Sequence, residues 1–101
     1  MYIGLDLGTS GLKGILVDDD QVIRAEATMP LSVTRPHPGW SEQDPADWIR
    51  AAETVLGALG ENCALSGVRG IGLSGHMHGA TLVDASDQVL RPCIMWNDTR
   101  A

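Results

Sequence analysis

Residues 2–18 read YIGLDLGTSGLKGILVD, and the fold turns on how that run is punctuated. Residues 2–7 alternate as a strand does, with Ile3, Leu5 and Leu7 on one face and Asp6 on the other. Residues 12–18 read as a second strand, and Gly8, Thr9, Ser10 and Gly11 lie between the two. Glycines and hydroxyls directly behind a strand are a phosphate-binding pattern. A Walker-type loop needs Gly-Lys-Ser/Thr opening a helix, whereas Lys13 follows Leu12 and a strand follows the turn. A dinucleotide fingerprint, Gly-x-Gly-x-x-Gly, also opens a helix and does not fit. What remains is strand, tight turn and returning strand. In that design Gly8 and Gly11 let the backbone bend and approach an anion, so that amide N–H groups point at its oxygens. Thr9 and Ser10 add hydroxyl donors, and Lys13 adds a mobile positive charge. Asp6 would repel phosphate on its own and makes sense if Mg²⁺ lies between, held directly or through water. A glycine-rich hairpin with an exposed Asp and Lys has the same local sequence, and these residues leave both readings open.

Outward from this run, residues 21–28 are a third strand across the acidic turn Asp18-Asp19-Asp20, which makes a β-hairpin. Residues 29–43 hold three prolines and a glycine and read as an ordered surface loop. A helix follows, with Asp44 as N-cap, Pro45 at the first helical position and Asp47 in the first turn. Trp48, Ile49, Ala52, Val55, Leu56 and Leu59 form its apolar stripe, and Gly60 stops it. Val68 to Ser74 reads as a buried strand, residues 80–92 as a second hairpin and residues 93–96 as a short strand. The two hairpins, LVDDDQVIRA and LVDASDQVLRP, are alike, but similar turns converge on such patterns and no repeat is inferred. One helix for about four sheet strands leaves one sheet face bare, as in the first piece of a larger α/β domain.

Composition removes several classes of function. The 101 residues carry a net charge of −6 with seven scattered Lys and Arg, which disfavours nucleic acid and anionic membrane as partners. No apolar run reaches membrane-span length and no signal-peptide pattern opens the chain. Cys63 and Cys93 sit in apolar contexts without metal-ligand spacing and read as reduced core thiols of a cytoplasmic protein. His76 and His78 at i, i+2 have no third ligand in view, so a metal site is not expected there.

At this point the sequence resembles a known family. YIGLDLGTSGLKGILVD resembles the first phosphate motif of sugar kinases that share the ribonuclease H-like fold of actin, hexokinase and the Hsp70 ATPase. RPHPGWSEQDPADW, GIGLSGHMHGATLVD and VLRPCIMWNDTR follow in the same order and at similar spacing as segments of the FGGY carbohydrate kinases, and within them of the xylulokinase group. The resemblance runs from Met1 to Ala101. It implies an α/β fold with a mixed sheet, residues 1–101 being the N-terminal part of kinase domain I, and a reaction of ATP with D-xylulose giving ADP and D-xylulose 5-phosphate.

What the resemblance implies for individual residues follows its motifs. Asp6 matches the acid near Mg²⁺ and the transferring phosphate. Gly8, Thr9, Ser10, Gly11 and Lys13 match the loop that meets the terminal phosphates of ATP. Met77 and His78 match the pair that contacts the sugar, and Trp96 matches an aromatic lining the polyol pocket. Asn97, Asp98 and Arg100 lie beside it within reach of sugar hydroxyls. Each has a plainer counterpart: His78 as a structural histidine, Trp96 as core, and Asp98 with Arg100 as a surface ion pair. Trp40 and Trp48 read as packing around the proline loop. The family's catalytic aspartate and most of its adenosine site fall beyond residue 101, so the chain reads as an N-terminal fragment, inactive alone, of a homodimeric parent. A ribulose, gluconate or glycerol kinase of the same family, and a non-catalytic interaction fragment, are the competing readings. Met77-His78 argues against glycerol kinase, whose matching position carries Arg-Glu.

Overall fold

A strand with apolar side chains on every second residue must cover one face, and one amphipathic helix does so here. In the computed structural model, which describes residues 1–100, β1 (Tyr2–Leu7), β2 (Gly11–Val17) and β3 (Ile23–Pro30) form an antiparallel meander. The chain then runs through β4 (Glu42–Gln43), the helix α1 (Pro45–Leu59) and a 3₁₀ turn at Leu65–Gly67. It returns as β5 (Gly70–Gly75), parallel to β1, and ends with β6 (Cys93–Ile94). The main sheet has the order β3-β2-β1-β5, and β4 pairs with β6 in a separate two-stranded sheet. The sheet is mixed, as expected.

The helix begins as its sequence dictates. Asp44 has extended backbone, its carboxylate accepts the Ala46 N–H at 2.9 Å, and Pro45 occupies the first turn. Gly60 ends it with right-handed backbone, φ −81°, rather than the left-handed cap its glycine permits. The buried stripe is Ala51, Val55 and Leu59, set against Ile3, Leu12 and Leu16. It is rotated from the expected stripe: Ala52 and Leu56 are partly buried, and Ile49 is 62% exposed. The cause lies in the sheet. The helix packs over β2 and β3, so the flank carrying Ile49 overhangs an apolar trough of about 420 Å³ bordered by Leu5, Leu7 and Leu73.

The same placement corrects the reading of β5 as a buried strand. β5 is the sheet's edge beyond the helix, and Ile71 and Leu73 are 54% and 80% exposed. Residues 29–43 are not wholly a surface loop either, because Ser41, Glu42 and Gln43 are buried where β4 meets β6. The second hairpin is reduced to a turn with an isolated Val83–Val89 bridge, and the strand expected over residues 93–96 to Cys93–Ile94. Cys93 is buried, Cys63 half-buried, and both are free thiols.

The two similar turns prove to be one geometry. Asp18 Oδ1 accepts the N–H of Asp20 and Val22, and Asp84 Oδ1 accepts those of Ser86 and Gln88. In each the fourth residue, Gln21 or Asp87, has φ near +60° (64° and 61°). The structural match therefore aligns Gln21 with Asp87, not with the Gln88 that the sequence similarity selects.

Gly14 on β2 lets helix and sheet approach. A Cβ there would overlap Val55 Cγ1 and stand 3.1 Å from Leu5 Cδ2. The expected outcome for Gly14→Ala is a loss of about 1–3 kcal/mol, the usual cost of overpacking a filled core, read from the urea midpoint of the chain. A change below a few tenths of that would show that the helix rides away from the sheet freely.

Candidate functional site

Parallel pairing of β1 and β5 builds the site. Leu7 stands opposite Gly75 in register, and the His76 N–H donates to Leu7 O at 3.0 Å. The loop after β1, Gly8–Ser10, and the loop after β5, His76–Gly79, therefore emerge side by side at the carboxyl ends of two parallel strands. That is where open α/β sheets take their ligands.

In the first loop the carbonyls of Thr9 and Ser10 are anchored and the amides of the same two residues are not. Gly11 O accepts from Gly8 N–H at 2.9 Å, Ser10 O from Leu31 N–H at 3.0 Å, and Thr9 O from Gln43 Nε2 at 2.6 Å. Thr9 and Ser10 N–H donate to no group among the described residues. Neither Gly8 nor Gly11 has positive φ, so the bend is not what needs glycine. Gly11 is required by its neighbour, since a Cβ there would stand 2.9 Å from Met29 O.

Asp6, Lys13 and Ser74 are cross-strand neighbours on the sheet face that the helix leaves bare. They line a groove of about 480 Å³. Lys13 Nζ lies 3.6 Å from Glu26, an exposed pair of small worth that a phosphate can displace. The Asp6 carboxylate is exposed and makes no hydrogen bond or ion pair among the described residues. No three His, Cys, Asp or Glu residues cluster as a metal cage among them. A single free carboxylate fits Mg²⁺ as one oxygen ligand, because that ion keeps waters and shares phosphate oxygens.

The second side of the site is assembled from two loops. His78 and Asp98 line one cleft of about 340 Å³ with Arg91, Leu82, Ile94 and Met95. His78 has φ 63°, a strained backbone for a residue with a side chain. Trp96 lies outside this cleft and donates its indole N–H to Thr9 Oγ1 at 3.0 Å, tying the two sides together. Met77 is 69% exposed and lines no part of the cleft. Asn97 is half-buried, and its side-chain oxygen has no partner among the described residues. Trp48 packs edge-on against His76 at 5.2 Å, and Trp40 packs edge-on against His37.

Asp98 and Arg100 do form an ion pair, but not at the surface. The Asp98 side chain is 1% exposed, accepts Ser41 N–H at 2.6 Å, and is forked by Arg100. Arg100 also reaches Glu42 at 2.9 Å and lies 3.7 Å over the Trp40 ring, while Arg91 reaches Glu42 at 2.7 Å. The Arg100 guanidinium, followed by the backbone N–H groups of Arg100 and Ser41, holds the Asp98 carboxyl far below the usual carboxylate range, outweighing its desolvation. Reasoning from sequence missed Gln43, Glu42 and Arg91. The signal for Glu42 and Gln43 was a polar triplet, Ser41-Glu42-Gln43, set between two tryptophans, and Arg91 had none.

The depressed Asp98 pKa has a definite sign. The unfolded chain takes up this proton near pH 4 and the folded chain only well below it, so the contribution is whole above about pH 4 and is lost on further acidification. Asp98→Asn is expected to lower the urea midpoint at pH 7 and to flatten its decline below about pH 4. Parallel acid declines for both forms would place the acid sensitivity elsewhere, with Asp18 the first alternative.

Over residues 1–101 the sequence matches the FGGY family of carbohydrate kinases, N-terminal domain. A xylulose kinase of Klebsiella pneumoniae is 56% identical over 100 residues, 99% of this chain and 21% of the relative. One from Escherichia coli is 53% identical over the same shares. The crystal structure of a "xyloylose kinase" from Brucella ovis superposes with a TM-score of 0.94 at 60% identity, covering 98% of this chain and 21% of that one. The chain thus spans 21% of the length of these relatives. Its α/β architecture is the ribonuclease H-like fold of these kinases, as the phosphate motif led one to expect. The chain belongs to the FGGY family of carbohydrate kinases, and the part of that family it carries is the N-terminal domain.

Proposed function

We propose that the protein carrying this domain transfers the γ-phosphoryl group of ATP to O5 of D-xylulose. The observation that carries this reading is the Thr9–Ser10 turn, whose carbonyls are held inward while two amides stay free, linked through Trp96 to the cleft of His78. The names of the relatives, xylulose kinases at 53–56% identity, support the acceptor.

Phosphoryl transfer asks a protein mainly for positioning and charge stabilisation. The Thr9 and Ser10 amides and the Lys13 ammonium receive the terminal phosphates, and Asp6 is the residue that would hold Mg²⁺. When bound, that ion neutralises phosphate charge. His78, in the cleft, faces the ketose and turns its O5 towards the phosphate, and Asp98, paired with Arg100, holds the cleft wall. Met77 and Trp96 lie outside that cleft, so their contact with the sugar needs the part of the site that residues 1–100 do not build. Asp98 is not the general base: a carboxyl kept this acidic by Arg100 is a poor proton acceptor. We assign the base to a carboxylate beyond residue 101, so the 101-residue chain by itself is expected to give no turnover.

ADP release by the full-length protein tests this over D-xylulose, D-ribulose, L-ribulose, gluconate and glycerol. Turnover is expected to be highest on D-xylulose and to fall about 100-fold in Asp6→Asn, the scale for losing one electrostatic stabiliser. Better turnover on another acceptor would sink the xylulose assignment and leave the kinase. No release with any acceptor would favour an interaction fragment. His78→Ala is expected to raise the sugar KM about tenfold, the worth of one good hydrogen bond, with the ATP KM unchanged. A change confined to the ATP KM would move His78 out of the sugar site.

A further inference from the structure

Gln43 is 2% exposed, on the two-residue strand β4. It falls within the segment RPHPGWSEQDPADW, where the resemblance gives it no role, and it lines no part of the His78 cleft. Burying a primary amide is costly unless both of its ends are partnered. Both are: Nε2 donates to Thr9 O at 2.6 Å, and Oε1 accepts the Trp48 indole N–H at 2.9 Å. The second bond fixes the sense of the first. An indole nitrogen is a donor only, so the Gln43 oxygen must face Trp48 and its NH₂ must face Thr9.

Trp48 is itself fixed, standing on α1 with its ring edge-on to His76. Asp44, the residue after Gln43, caps that helix. Gln43 is therefore held from both sides by ordered structure. A trans peptide carries its C=O and N–H in opposite directions. Drawing Thr9 O towards buried Gln43 must aim the Ser10 N–H the other way, out of the turn.

We infer that Gln43 is a positioning residue for the phosphate loop: it sets the Thr9–Ser10 peptide so that the Ser10 amide is presented to an anion, and Trp48 sets Gln43. The inference rests on the phosphate reading of this loop given above. It deepens that reading by naming the group that orients the loop without touching the ligand.

Gln43→Glu discriminates well. The variant is isosteric and keeps the acceptor for Trp48, but at neutral pH it opposes a carboxylate to the Thr9 carbonyl. That repulsion turns the peptide over and withdraws the Ser10 amide. In the full-length protein, Gln43→Glu is expected to weaken ADP binding by calorimetry about tenfold, the loss of one phosphate donor, with the sugar KM within about twofold. Once protonated, the introduced carboxyl can donate to Thr9 O as the Gln43 amide does, and a buried carboxyl titrates above its usual range. ADP affinity of the variant, relative to wild type at each pH, should therefore recover as the pH is lowered from about 8 to 5.5.

Trp48→Phe provides a second route, removing the indole donor while keeping an aromatic ring. A smaller loss of ADP affinity without pH recovery is expected. ADP affinity within twofold of wild type in both variants would overturn the inference, as would equal losses for ADP and sugar with no recovery at low pH. Lys13→Ala separates the two levels. If it weakens ADP binding and Gln43→Glu does not, the positioning role alone is lost. If neither does, the phosphate reading falls with it.

Discussion

The in-register parallel pairing of β1 with β5 is the constraint on which the rest depends. A parallel pair cannot be closed by a tight turn, so the chain between must leave the sheet, cross over it and return. Here the crossover carries α1, whose Ala51, Val55 and Leu59 supply half of the core. The same pairing sets Leu7 against Gly75 and so decides which loops can meet. Slipping the register by one residue would turn Ile71 and Leu73 to the opposite face and move His78 away from Thr9.

A second contact system ties β4 to the segment that carries β6, and it is built from charges. Glu42 is shared between Arg91 and Arg100, and Asp98 takes Arg100 and the Ser41 amide. Taking such groups out of water is costly, and their attraction offsets that cost only when geometry and hydrogen bonds are complete. The arrangement meets that condition for Asp98 with bidentate contacts, and Trp40 covers the guanidinium of Arg100. Its consequence for the site is positional: the cluster joins the proline loop to residues 91–100, and Trp96 projects from the joined pair onto Thr9.

Local chemistry was well legible in the sequence, and long-range partnership was not. The alternation of residues 2–7, the Asp44-Pro45 helix start and the acidic turn at Asp18 each depend on neighbours within a few residues, and each forms as read. The run Val68–Ser74 looked buried because apolar strands usually are, yet its exposure is decided by where α1 lies, which no local pattern contains. Ser41-Glu42-Gln43 looked like loop because it is polar. It is buried because Cys93 and Ile94, about fifty residues on, pair with it. The family motifs supplied the site's list of residues. The Trp96–Thr9 and Gln43–Thr9 contacts that turn the list into a geometry join residues 87 and 34 positions apart.

These 101 residues carry six net negative charges, an unpromising field for a tetra-anion. The proposed site meets that difficulty with dipoles more than with charges. Pinning the Thr9 carbonyl directs the free Ser10 amide outward without adding a side-chain cation that Asp6 would neutralise. Lys13, loosely paired with Glu26 on the neighbouring strand and in register with Asp6, supplies a mobile cation. Asp6 then has a reason to stay unpaired: an acid tied to Lys13 would cancel the ammonium, whereas a free one can share a divalent ion with the phosphates. On this argument the bare sheet face carrying Asp6 and Lys13 and the anchored turn serve the proposed phosphate site together, an acidic domain's substitute for a cluster of cations.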